Sequence, residues 1–504
     1  MNFCNWSLPP AEDINDWERL GNKGWNWKTY ENYHSKVATY VPLDVTSRPD
    51  VDLLKIWDLE KHSSGSGPLL ITHPRSKFEI DRKAYEAYLE MGMPKARNPP
   101  KGAVLSLNSV DPKSHLRTYA ATAYYEPVST RPNLSVLPTA YAHRLDTTGE
   151  VDGDITATGV VFSYGGGKTV HVANARREVI LSAGSLKSPQ ILELSGIGRK
   201  DVLSKIDVPV KVSLAGVGEN VQEHFFLCAT YELREDTKTE TFDVLRDEKE
   251  VLRQVELLSK GEGVYTSGLT NIAYLPLSDV TPRADALYAQ ESQRIAEDVR
   301  DNVYPPGLID QYTIQLERGR NKALHVEIAD VPGFMALDKP PIPGKKYLSL
   351  AGFLNHTFSR GTIHSKTKDP FADPDMDPHY WEHEIDRLAL IEVLKYARKI
   401  AQTSSLRDEI AVEYSPGPEI QSDEQLAEWA HKGLCSTFHT AGSCSMLPRE
   451  KNGVVDTHLK VYGTKNIRVV DLSIVPLHFA AHTQATVYTI AEIASDIIKG
   501  EFQP

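Results

Sequence analysis

Two histidines near the end of the chain stand in turns built from small residues, His439 in Phe438-His439-Thr440-Ala441-Gly442-Ser443-Cys444 and His482 in Ala481-His482-Thr483-Gln484-Ala485-Thr486. Imidazole titrates closer to neutrality than other side chains, so a histidine held in a tight turn is suited to take a proton from a hydroxyl group. A base positioned in this way contributes about 10² to 10⁴ in rate. Removal of a hydroxyl proton is one half of alcohol oxidation, and departure of a hydride from the adjacent carbon is the other. Most of the 17 histidines are expected to be surface or satisfied core residues. The matching surroundings of His439 and His482 single out this pair. His224, His364 and His478 stand beside motif residues and are expected to be structural, and no pair among these three has metal-ligand spacing. No metal site is expected.

The elements that would hold these turns are legible elsewhere in the chain. Arg177 to Gly184 reads as a short apolar strand ending in small residues, the form expected where a sheet edge meets a ligand. A helix should follow, with Ser188 as its N-cap, Pro189 at its first position and Gly196 at its end. Apolar spacing predicts further helices over 76–91, 241–260, 286–302 and 384–401, and a last one over 483–499 carrying Val487, Ile490, Ile493, Ala494 and Ile497. Ile467 to Val470 reads as a strand closed by Asp471. The runs Gly165-Gly166-Gly167 and Gly216-Val217-Gly218 lack the strand and helix context of a dinucleotide fingerprint and are expected to be turns.

Together these segments resemble the glucose-methanol-choline (GMC) family of flavin-dependent oxidoreductases. The likeness rests on the two histidine turns with Asp471-Leu472-Ser473 between them, and on Gly184 to Gly198, which follows the family's second signature throughout. It extends to Arg117–Tyr124, to Asn220-Val221-Gln222-Glu223-His224, where Glu223 replaces a commoner aspartate, and to Met1-Asn2-Phe3-Cys4-Asn5. The resemblance implies FAD as cofactor and an α/β fold, with an incomplete doubly wound FAD-binding domain and an α+β substrate-binding domain containing an antiparallel sheet. It divides the chain into flavin-binding parts over 1–230, a substrate-side lobe over 231–350, and a C-terminal region over 351–504. His439 is implied as the proton acceptor facing the flavin, and His482 as its companion on the same substrate oxygen. Flavin contacts are implied at Asn2 and Asn5, at Ala142 near the adenine end, at Gly184 and Asp471, and at the backbone of Thr483 and Gln484, where a helix N-terminus favours negative charge. For Asp471 an ordinary strand-to-helix cap is the alternative.

The same resemblance predicts a strand, a glycine-rich turn and a helix ahead of Met1, because that unit normally binds the dinucleotide pyrophosphate. Met1 falls inside a motif, so the native protein is expected to be longer. The net charge of −12 argues against nucleic acid and anionic membranes as partners, and no apolar run reaches the roughly 20 residues of a membrane span. The four cysteines match no zinc or redox spacing. Three functions compete: an FAD-dependent oxidase or dehydrogenase of a small or aryl alcohol, using oxygen or another electron acceptor; a non-redox flavoprotein such as a cyclase or lyase; and a flavin-free truncated pseudoenzyme.

Overall fold

The computed structural model describes residues 2–42, 65–75, 78–96, 101–149, 154–167 and 169–502. Its largest element is an antiparallel sheet in the order Ile410–Ser415, Phe225–Leu233, Tyr347–Leu354, Val326–Val331, Asn271–Leu275 and Gly102–Leu105, with Cys435–Ser436 added beside Phe225 and Phe226. Residues 1–230, 231–350 and 351–504 all supply strands to this sheet.

Strand alternation sorts the sheet into two faces. Leu227, Val326, Ile328, Leu348 and Leu350 join a core closed by the helix Glu384–Ala401. Full burial of such a side chain is worth about 1.5–3 kcal/mol. Gly352 permits this close packing, since a Cβ there would stand 2.3 Å from Val393 Cγ1. The helix begins with Glu384 and Asp386 and ends with Arg398 and Lys399, charges that suit its dipole. The opposite face carries Phe226, Tyr274, Glu327 and Phe353, with Glu327 opposite both Tyr274 and Phe353 in register.

A second packing unit gathers the strand Val179–Leu181, parallel to Ile467–Val469, and the three-stranded antiparallel sheet Ala140–Thr148, Thr156–Tyr164 and Val170–Asn174. Helices Ala11–Arg19, Trp27–His34 and Gln484–Lys499 close it around Trp17, Trp25, Tyr30 and Ile490. The remaining parallel pairs are short, Ala38–Tyr40 with Leu69–Ile71 and Ile197–Gly198 with Val212–Ser213.

Several elements differ from the sequence expectation. The signature helix spans Gly184–Leu194, so Ser188 and Pro189 lie inside it. Its start is fixed by Gly184 at φ +78 and by Asp471, which accepts from Gly184 N and from the Ser188 hydroxyl. These tertiary bonds override the local N-cap signal, and Pro189 gives up one bond to the carbonyl of Ser185. The stretch 241–260 breaks at Asp247, whose carboxylate caps the helix Glu248–Ser259. The other helices fall at Glu79–Glu90 and Ala284–Arg300, and Ser76, at the start expected for the former, lies outside the described residues.

His364 bridges Glu193 of the signature helix at 2.7 Å and Glu219 at 3.2 Å, and Arg199 also pairs with Glu219. Burial opposes the imidazolium, but the bonds and charges of Glu193 and Glu219 outweigh it and push His364 up to about 9. Its folded value lies above the unfolded one of about 6.5, so its stabilisation is complete below about pH 6.5 and is lost as pH rises through about 9. Partial burial works against the charge of Glu219, but His364 and Arg199 hold it below the usual glutamate range, so its own contribution is complete only above about pH 4.5. Allowing for partial solvent screening, the tie is worth about 1–2 kcal/mol. Urea unfolding of the wild type and His364→Ala should show a stability gap at about pH 6 that narrows by this amount at about pH 10.

Candidate active site

The two histidine turns meet on the face of the sheet that carries Glu327. The His439 turn follows the short strand Cys435–Ser436 and is laced to residue 222 by Gln222 N to Ala441 O at 3.0 Å and Ala441 N to Gln222 O at 2.9 Å. The His482 turn precedes the last helix, with His482 N donating to Ser7 Oγ at 2.8 Å. The structure brings the imidazoles together, their centroids 5.0 Å apart and their planes at 72°. Both are buried, His439 to 3% and His482 to 5% exposure. Burial, with neighbouring His482 and His478, pushes His439 well below the usual histidine range, so it is neutral and able to accept a proton at neutral pH.

Three further residues complete the constellation. Glu327 Oε1 accepts from His482 Nε2 at 2.7 Å, and His482 Nδ1 has no hydrogen-bond partner. His224 Nδ1 stands 3.0 Å from His439 Nδ1, and His478 Nε2 donates to the His439 carbonyl at 2.9 Å. Burial first, then the neighbouring imidazoles, holds His224 well below its ordinary value. Glu327 was missed from sequence, although a glutamate inside the apolar strand Val326–Val331 is a usable signal. His224 and His478, expected to be structural, are direct partners of His439.

The cofactor candidates fall in several surroundings. Asn5, in the strand Asn5–Trp6 paired with Leu107–Asn108, is 1% exposed, and neither polar atom of its amide has a protein partner. Such an amide is costly unless a ligand satisfies it. Gly184 opens its helix where a Cβ would meet nothing within 4 Å. Thr483 is buried at the start of the last helix, and Gln484 Nε2 donates to Ser109 Oγ at 2.8 Å. Ala142 is exposed on the three-stranded sheet, opposite Phe162. Asn2 lies in a short helical turn over Asn2–Cys4, and its side chain is outside the described atoms.

Asp471 makes the contacts of a strand-to-helix cap. Its carboxylate accepts from Gly184 N, the Ser188 hydroxyl, and Ser473 N and Oγ, so it ties a strand end to the signature helix and serves as a cap. The orphaned Asn5 amide, the open backbone at Gly184 and the N-terminus of the last helix fit a flavin dinucleotide. Among the described residues no group of three or more His, Cys, Asp or Glu could hold a metal ion, and no helix is long and apolar enough to cross a membrane.

A buried imidazole pair backed by a carboxylate lies on one face of the antiparallel sheet in this mixed α/β fold. The chain belongs to the GMC oxidoreductase family, whose N-terminal profile matches residues 1–226 and whose C-terminal profile matches 357–491, and it is an FAD-dependent oxidoreductase. It is 30% identical to the GMC oxidoreductase family protein Mala s 12 of Malassezia sympodialis over 99% of this chain and 78% of that protein. Versicolorin B synthase of Emericella nidulans is 28% identical over 96% of this chain and 72% of its own length. An FAD-dependent oxidoreductase from Chaetomium thermophilum superposes with a TM-score of 0.85 at 26% identity, over 99% of this chain and 84% of that one. A fungal aryl-alcohol oxidase shares the fold at a TM-score of 0.85, 24% identity and the same coverage.

Replacing Glu327 by Gln preserves its shape and removes the charge behind His482. Turnover by the FAD-loaded enzyme should fall about 10- to 100-fold with flavin content unchanged, as read by stopped-flow flavin reduction and flavin absorbance.

Proposed function

We propose that this chain oxidises the CH–OH group of a small or aryl alcohol, with His439 taking the hydroxyl proton and His482 holding the same oxygen. The observation that carries this reading is the convergence of two buried imidazoles, one neutral and one backed by Glu327. His224 Nδ1 stands 3.0 Å from Nδ1 of His439 and orients that ring. With its Nε2–H held by Glu327, His482 donates from Nδ1 to the substrate oxygen, since the single hydroxyl proton goes to His439. When bound, FAD supplies the acceptor for the hydride. Asn5, Gly184, Thr483 and Gln484 would hold that cofactor, with Ala142 toward its adenine end and Asn2 beside Asn5. Aromatic surroundings favour an aryl substrate: the Phe353 ring lies 6.5 Å from that of His482, and Phe438, next to His439, is 86% exposed.

Anaerobic addition of 4-methoxybenzyl alcohol to the FAD-loaded protein should bleach the visible flavin band. His439→Ala should slow bleaching by about 10² to 10⁴, while His482→Ala slows it less. Because the working form of His439 is the neutral one and its value is depressed, the reduction rate should stay level as pH falls below about 6.5. A wild-type protein whose flavin no alcohol reduces would refute the oxidase reading.

The similarity to versicolorin B synthase favours a second reading, in which the same imidazoles run acid–base chemistry alone. Product formation with the flavin band unchanged throughout would establish it.

A further inference from the structure

Glu223 is buried, yet no lysine or arginine pairs with it among the described residues. An unpaired buried carboxylate is expensive, and it persists only where hydrogen-bond donors surround it. Here the donors come from one turn. Glu223 Oε1 accepts from His439 N at 2.8 Å and lies 3.2 Å from Thr437 Oγ1, while Oε2 accepts from Ser436 Oγ at 2.8 Å and Thr440 Oγ1 at 2.7 Å. Burial raises its pKa, and these four donors oppose the rise.

The carboxylate therefore straddles Phe438, bonding the residues on either side of it. Phe438 has φ +59 and is 86% exposed. A bulky aromatic in the left-handed region is strained, and such a conformation survives only when its surroundings over-determine it. The Phe438 ring buries little, so packing does not hold the turn. What holds it is Phe438 N on Ser436 Oγ at 2.9 Å, Thr437 N on the His224 carbonyl at 3.0 Å, and the four donors on Glu223. His439 leaves this turn directly, so the strained backbone sets the direction of its imidazole.

We propose that Glu223 is the positioning residue for His439, clamping the 436–440 turn so that the imidazole meets substrate. The clamp is independent of the cofactor, and only the kinetic arm of its test rests on the alcohol-oxidation reading. Chymotrypsin cleaves after exposed aromatics in mobile backbone, so the Phe438–His439 bond reports directly on the turn. In the full chain, Glu223→Leu should speed cleavage at that bond about tenfold or more relative to other sites. Glu223→Gln keeps an acceptor for His439 N and should stay within about threefold of wild type. The double variant Ser436→Ala/Thr440→Ala, which leaves Glu223 in place, should give an intermediate rate. In the FAD-loaded enzyme with 4-methoxybenzyl alcohol, Glu223→Leu should lower kcat about 10²-fold with KM changed less than about threefold, and Glu223→Gln should restore most of it. Unchanged cleavage at Phe438 in both Glu223→Leu and the double variant would overturn the proposal, as would accelerated cleavage spread evenly over the chain. If the wild-type flavin is not reduced at all, the alcohol reading fails and the cleavage pattern alone decides the clamp.

Discussion

Two irregular loops are buried at the centre of this molecule, and their polar backbone groups must find partners without the help of a helix or a sheet. Each group left unsatisfied would cost about 1–3 kcal/mol. The loop before His482 is met by Gln222, which accepts from His478 N and donates to the Pro476 carbonyl, and by Trp17, which donates to the Leu477 carbonyl. Asp13 accepts from Ala480 N, and Arg318 donates to the His478 carbonyl. Residues from the two ends and the middle of the chain thus converge on a few carbonyls and amides, and the placement of both imidazoles follows from that convergence.

The electrostatics of the region follow from the same burial. His224, His439 and His478 are all pushed down, first by burial and then, for His224 and His439, by their neighbouring imidazoles, with His478 reaching about 3. Asp13 is held down as well: burial works against its charge, but Arg318 and His356 bring it to about 2. His224, His439 and His478 are therefore neutral near neutral pH, and Asp13 is ionised. Glu327 is bonded to His482, so a charge gained on that imidazole is balanced within the pocket.

The sequence made visible what depends on local pattern and hid what depends on distant partners. The helix Glu384–Ala401 has the predicted limits because its apolar period, acidic start and basic end agree. The signature helix begins earlier than its Ser-Pro signal suggests, because Asp471 and a left-handed Gly184 decide the matter from elsewhere. The histidine pair was legible because two small-residue turns enclose it. Glu223 and Glu327 are glutamates whose roles arise from strand register and from a turn far along the chain. The family signatures marked the neighbourhood of Glu223 without showing what its carboxylate holds.

The strand Phe225–Leu233 is paired on one side with Tyr347–Leu354 and on the other with Ile410–Ser415 and Cys435–Ser436. During synthesis at about 5–20 residues per second, that strand waits roughly 6–24 seconds for its first neighbour and longer for the others. Nearly every residue in it is destined for burial, so the nascent chain carries an open, two-sided apolar edge throughout that interval. Production of this protein is therefore governed by how well the cell shields that edge, and yield should respond to chaperone supply and translation speed before it responds to changes in the finished pocket.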